Sequence, residues 1–240
     1  MSQQQRRSKI LLIGDSCYDT YYFGSVNRLS PEAPIPVLDL EETVEKRGMA
    51  SNVYDNLLAL GVTVDMITCI VDHKKRYIDK RSGHQLLRVD ERLPFNKVEV
   101  SRDFSLYDAI MISDYDKGLL TYQDIELIIS QAGNVPVFID TKKKDLARFE
   151  GAVLKLNNIE WESRTSDHSD CIVTRGKDDI TYKGNTYKTP KVNAHDVCGA
   201  GDTFFAAYVY SSDINFALKA ASITVQHIGV YSPSLKEIQQ

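Results

Sequence analysis

The stretch YDAIMISDYDKGLLTYQDIELIISQAGNVPVFID, residues 107–140, contains a complete strand–helix–strand unit. YDAIMISDY (107–115) reads as a buried strand, TYQDIELIISQAG (121–133) as a helix stopped by Gly133, and VPVFID (135–140) as the next strand. The same alternation extends outward in both directions. KILLIGD (9–15) reads as a buried strand ending in a Gly14-Asp15 turn, and ASNVYDNLLALG (50–61) as a helix with Val53, Leu57 and Leu60 on one face and Gly61 as its stop. VDMITCI (64–70), AVLKLN (152–157) and DCIVTRG (170–176) are further strands. ITYKGNTYK (180–188) reads as a hairpin turning on Gly184-Asn185. Helices at about 201–211 and 213–228, the second capped by Asp213, close the chain. Apolar strands alternating with helices predict an α/β fold, a doubly wound and mostly parallel sheet covered on both faces. IPVLDLEE (35–42) and HQLLRVDE (84–91) are too polar for that interior and predict a small separate sheet projecting from the core.

The bulk numbers set limits. A chain of 240 residues suits one α/β domain, and 42% hydrophobic with 26% charged residues is ordinary for a globular protein. A formal net charge of −4 gives no field for nucleic acid or an anionic membrane, and neither is expected as a partner. Cys17, Cys69, Cys171 and Cys198 are widely spaced, which suggests neither a zinc site nor a disulfide framework and fits a reducing cytoplasm. The start, MSQQQRRSK, has no hydrophobic signal segment and reads as a frayed tail.

In open α/β sheets ligands bind beyond the carboxyl ends of the strands. Gly14-Asp15, Asp114, Asp140, Asn157 and Thr174–Gly176 fall there. DVCGAGDTFFAAYVY (196–210) adds a glycine-flanked turn, a carboxylate and an all-apolar helix. Phe204 stands where a dinucleotide fingerprint needs its third glycine, and no Lys-Ser/Thr pair makes a Walker loop. What remains is a short anion cradle beside Asp202. A carboxylate there repels a phosphate that merely binds, but suits a general base that takes a proton while the helix N–H groups stabilise a moving phosphoryl group. A plain helix cap is the competing reading. Asn157-x-x-Glu160 brings an amide and a carboxylate to one face of a turn, suited to the water shell of Mg²⁺ or, alternatively, to a capping box.

Taken together, IGDSCYDTYYFGSVNRLSPEAPIPVL (13–38), RGMASNVYDNLLALG (47–61), HQLLRVD (84–90), SDYDKGLL (113–120), VPVFIDTKKKD (135–145), LKLNNIEWE (154–162), VTRG (173–176) and DVCGAGDTF (196–204) resemble the ribokinase/PfkB carbohydrate kinases. RLSPEAPIPV and SDYDKG point, within them, to the heptose-7-phosphate kinase subgroup. The resemblance implies a ribokinase-like core with a small β lid (strands about 35–44 and 84–91), one kinase domain over 1–240 and no adenylyltransferase domain. It implies ATP and Mg²⁺, with a monovalent cation as a further candidate, a sugar or sugar-phosphate acceptor, and a homodimer through the lid. By resemblance Asp202 is the catalytic base, and Gly199, Ala200 and Gly201 supply the anion hole. Asn157 and Glu160 sit near Mg²⁺ through water; Asn157, Thr174, Gly176, His227 and Gly229 face ATP. Asp15, Asp19, Gly48, Asn52, Arg88, Asp114, Lys117 and Lys142 meet the acceptor or its phosphate. Turn, cap or surface roles are the alternatives for several of these, and Arg28 is open between a phosphate ligand and a lid salt bridge. The chain departs from the pattern at Met49, where the family has a second glycine, and between Ile70 and His84, where a helix and strands are missing. The implied activity is transfer of the ATP γ-phosphoryl group to O1 of D-glycero-D-manno-heptose 7-phosphate. A kinase for another sugar, or a shortened fold that binds without efficient catalysis, is the alternative.

Overall fold

The computed structural model describes residues 6–227 and 229–240. Residues 1–5 of the N-terminal segment and Ile228 of the 227–229 stretch lie outside the described residues. The strands are β1 (Lys9–Leu29), β2 (Pro36–Met49), β3 (Thr63–Asp79), β4 (Gln85–Arg92), β5 (Ala109–Asp114), β6 (Val137–Thr141), β7 (Val153–Asn157), β8 (Cys171–Arg175), β9 (Asp178–Tyr182) and β10 (Asn185–Tyr187). The helices are α1 (Ala50–Ala59), α2 (Tyr122–Gln131), α3 (Asn158–Glu162), α4 (Ala200–Ser211), α5 (Ile214–Thr224) and α6 (Leu235–Gln239).

One open sheet runs β10-β9-β8-β7-β6-β5-β1-β3-β4, with β2 on the upper half of β1. From β8 across to β3 every pairing is parallel, as the apolar runs predict. Successive residues of β1 serve opposite faces. Ile10 and Leu12 pack with α1, α4, α5 and α6, whereas Leu11 and Ile13 pack with α2 and the segment after β6. Helix α4 is apolar on all sides because it lies buried against the sheet between α1 and α5; every residue from Asp202 to Ser211 is buried.

The structure revises four expectations. There is no turn at Gly14-Asp15: β1 continues to Leu29, because β3 stays paired beside it from Lys9↔Thr63 to Gly24↔Asp79, with one bulge after Ser16. The lid is therefore not a separate sheet but a four-stranded extension, β2-β1-β3-β4, built on the upper halves of two core strands. The last hairpin turns on Lys183-Gly184, not Gly184-Asn185; Tyr182 pairs with Asn185, and both turn residues have positive φ, 48° and 74°. Helix α5 ends at Thr224, and α6, which the periodicity does not mark, starts from a Ser234/Glu237 capping box. Asp213 does cap α5, accepting from the N–H groups of Asn215 and Phe216. All four cysteines are free, and no described helix is long and apolar enough to cross a membrane.

Candidate active site

At the carboxyl ends of β5, β6 and β7 the chain brings buried Asp202, Asn52, Lys155 and Asp140 together with half-buried Tyr115. Its geometry starts with backbone sterics. Gly14 faces Ser113 so closely that a Cβ on it would lie 2.2 Å from the Ser113 carbonyl oxygen and 2.9 Å from the Ala50 Cβ, so only glycine lets α1 start against β1 here. Helix α1 then presents Asn52 from its first turn, and Asn52 Nδ2 donates to Asp202 Oδ2 at 2.7 Å. Gly199 starts α4 in the left-handed region at φ 78°, and no side chain caps that helix among the described residues. The Ala200 N–H makes only a long bond, 3.4 Å, to the Val197 carbonyl, so the tip can still turn N–H groups to a ligand, with the positive end of the helix dipole behind them.

Asp202 is 8% exposed. Burial pushes its carboxyl above the ordinary aspartate range, the Asn52 hydrogen bond opposes that shift, Asp140 adds to it, and Lys155 and Tyr115 oppose it. The Tyr115 hydroxyl donates to Oδ1 at 3.2 Å, so each carboxylate oxygen carries a protein donor. Lys155, on β7, is buried; its Nζ is 2.7 Å from Asp140 Oδ2 and would lie 3.1 Å from a Cβ on Gly201. A fixed ammonium thus stands against the tip of α4.

The remaining expected residues divide by surroundings. Asp15 is buried inside β1 and accepts from the N–H groups of Tyr115 and Lys117, while its Oδ1 has no partner. Asp114 faces Thr141 and Lys143 and anchors the loop after β5. Asn157 and Glu160 form the capping box of α3, and Lys142 reaches Glu160 as well. Asp19 holds Arg76 through two bonds of 2.8 and 3.2 Å on the lid. Lys117 pairs with Asp72. Arg88 is exposed on β4 and pairs with Asp90 on its own strand. Thr174 lies at the end of β8, bonded to the Leu156 carbonyl, and Gly176 sits exposed in the turn after that strand. His227 is exposed and stacks on Tyr231 at 3.7 Å. Asp196 joins the loop before α4 to the one after α5, accepting from the Cys198 and Gly229 N–H groups.

Met49 stands out in the backbone. It precedes α1 at φ 63°, ψ −131°, a region natural to glycine, and its side chain is buried with Cys17 and Val71 against Tyr115. Holding a methionine there costs about 1–3 kcal/mol.

The fold has solved counterparts. A putative ribokinase from Agrobacterium tumefaciens superposes with a TM-score of 0.69 at 14% identity, covering 97% of this chain and 96% of that one. Phosphofructokinase-2 from Escherichia coli, in complex with potassium, gives 0.69 at 15% identity, covering 98% and 97%. The fold is ribokinase-like. By sequence, this ribokinase-like chain is homologous to bifunctional protein HldE from Nitratiruptor sp., 29% identical over 300 positions, and from Haemophilus influenzae, 30% over 305. Those alignments cover 98% and 99% of this chain but 65% and 64% of the relatives, so it spans just under two thirds of their length. An alignment of 305 positions on a chain of 240 residues leaves at least 65 positions without a residue here. After Ile70, β3 passes straight from core to lid. No family model matches the chain.

Reading the residues alone missed Tyr115, Lys155 and the Asp140 pairing. Tyr115 and Lys155 had a usable signal, since each lies within three residues of a strand end already singled out. No signal paired Lys155 with Asp140, because that contact depends on the β6–β7 register.

Proposed function

We propose that this chain is a phosphotransferase that moves the γ-phosphoryl group of ATP to a sugar hydroxyl. The observation that carries the reading is Asp202, buried beside the uncapped tip of α4 with Lys155 against Gly201. In this reading Asp202 accepts the proton of the acceptor hydroxyl as its oxygen attacks phosphorus, and Asn52 holds the carboxylate at the angle required. The N–H groups of Gly199, Ala200 and Gly201, with Lys155, stabilise charge on the equatorial oxygens.

The donor set suits magnesium carried in by the nucleotide. No described group of three His, Cys, Asp or Glu side chains could strip and cage the ion. Mg²⁺ with a nucleotide keeps most of its waters, and Asn157 with Glu160 would hold that water shell. When bound, the ion neutralises charge on the ATP phosphates. Thr174, Gly176, His227 and Gly229 take the nucleotide side, and potassium dependence is checked by exchanging K⁺ for Na⁺. Asp15, Asp19, Gly48, Lys117 and Lys142 take the acceptor side with Arg88 on the lid, and Asp114 supports them from below.

The finer assignment is D-glycero-D-manno-heptose 7-phosphate, phosphorylated at O1 in the cytoplasm. Its support is the likeness to HldE proteins together with RLSPEAPIPV and SDYDKG. The proposed lid homodimer is supported by Leu40, Leu87 and Val89, apolar and exposed on β2 and β4. The deciding experiment is ADP release from Mg-ATP with a panel of heptose, hexose and ketose phosphates and nucleosides, run beside Asp202→Asn. Heptose 7-phosphate should give the highest kcat/KM. Preference for another sugar replaces the acceptor, and no transfer to any acceptor removes the kinase reading.

A further inference from the structure

The two hydrogen bonds on Asp202 are unequal. Asn52 donates at 2.7 Å, a strong contact, from a helix turn that is itself buried. Tyr115 donates at 3.2 Å, well beyond the roughly 2.7–2.8 Å usual between a hydroxyl and an oxygen. Its ring hangs from the loop after β5 and is only half-buried. The strained Met49, with Cys17 and Val71, packs against the ring, and the ammonium groups of Lys74 and Lys142 lie 5.9 and 5.3 Å from its centroid. A loosely held O–H thus sits on the carboxylate to which an acceptor must bring its own O–H.

We propose that the Tyr115 hydroxyl is a placeholder for the acceptor: it occupies the acceptor's position on Asp202 in the empty site and keeps water from the base. It gives way only to a polyol that delivers a hydroxyl of its own, and the Met49 side chain limits how far the ring swings. This rests on the phosphoryl-transfer reading. In the productive step the acceptor proton passes to Asp202, the acceptor oxygen bonds to the γ-phosphorus, and the bond to the β–γ bridging oxygen breaks to release ADP. If water takes the same position, the identical exchange yields ADP and inorganic phosphate. The placeholder suppresses that leak, because water has no further contacts with which to displace the phenol.

The test is Tyr115→Phe, which keeps the ring and removes the hydroxyl. One ordinary hydrogen bond corresponds to about five-fold. ADP release from Mg-ATP without acceptor should therefore rise about five-fold, and the acceptor KM should fall by a similar factor with kcat held. Met49→Gly, which empties the space behind the ring but keeps the phenol, should raise hydrolysis in the same direction and guards against a folding defect in the first variant. Unchanged hydrolysis in both variants, or a drop in kcat at constant KM in Tyr115→Phe, overturns the placeholder while wild-type transfer keeps the kinase reading. A wild type that phosphorylates nothing overturns both.

Discussion

The two halves of β1 live in different surroundings. Below the bulge after Ser16, β1 lies between parallel neighbours, its side chains buried from Ile10 to Ser16, and it leads to where Asn52, Tyr115 and Lys155 surround Asp202. Above the bulge it becomes a lid strand flanked by β2 and β3, and every residue of the outer strand β4 is exposed. Lid charges are satisfied mainly by one another, as in Asp19–Arg76 and Arg88–Asp90. Core charges sit close to a helix tip with little water to screen them, where an effective interaction is several-fold stronger than in bulk solvent. In the proposed reading, chemistry belongs to the lower half, and the upper half tunes which acceptor stays.

The contrast breaks most easily at Asp202. Asp202→Asn should lower kcat by about 10²–10⁴-fold, the scale of a lost general base. A loss under ten-fold would move the base elsewhere. Lys155→Gln follows, at about 10²-fold in kcat for a lost charge at the helix tip. Because it leaves Asp140 buried without its partner, the companion variant Asp140→Asn/Lys155→Gln should restore thermal stability without restoring the rate. If the rate returns with stability, Lys155 is structural.

Asn52→Ala comes next, with an expected drop of about ten-fold to 10²-fold from a misaligned carboxylate. It also sharpens the electrostatic side. The acid limb of kcat/KM should already lie above the usual aspartate value of about 3.9 in the wild type, because burial disfavours the charged form. Removing the Asn52 donor should move that limb to still higher pH. The same shift sets the sign for stability. With the folded pKa raised, the contribution of Asp202 is present below its unfolded value and lost as pH rises through the folded one. Asp202→Asn should therefore gain on the wild type in urea midpoint as pH increases through that window. The smallest effect belongs to the lid: Arg88→Ala should change acceptor KM by no more than a few-fold and leave kcat unchanged, since its ion pair is exposed.

How much of this was legible before folding follows the same division. Short apolar runs marked the core because burial on both faces leaves no choice of residue, so 107–115, 135–140 and 152–157 all became parallel strands. The lid strands were visible as polar outliers. Their attachment was not, since nothing in KILLIGD shows that the strand continues past Gly14; that depends on β3 staying paired through Asp79. At the site, Gly199 and Asp202 announce themselves by spacing. Tyr115 sits beside a strand end already singled out, but its contact with Asp202 was not legible, because it joins residues 87 apart through loop geometry alone. The Asn157/Glu160 pair was left between a capping box and an ion shell, and the capping box is formed.

Phosphoryl transfer is proposed to take place at the tip of α4. A crystal structure of the wild type with ADP, aluminium fluoride, Mg²⁺ and heptose 7-phosphate tests it most directly. The fluoride should lie within hydrogen-bond reach of the Ala200 and Gly201 N–H groups and of Lys155 Nζ, with an acceptor hydroxyl on Asp202 where Tyr115 had been. A fluoride bound away from that tip, with Asp202 still covered and no sugar hydroxyl against it, would place the transfer elsewhere in the fold.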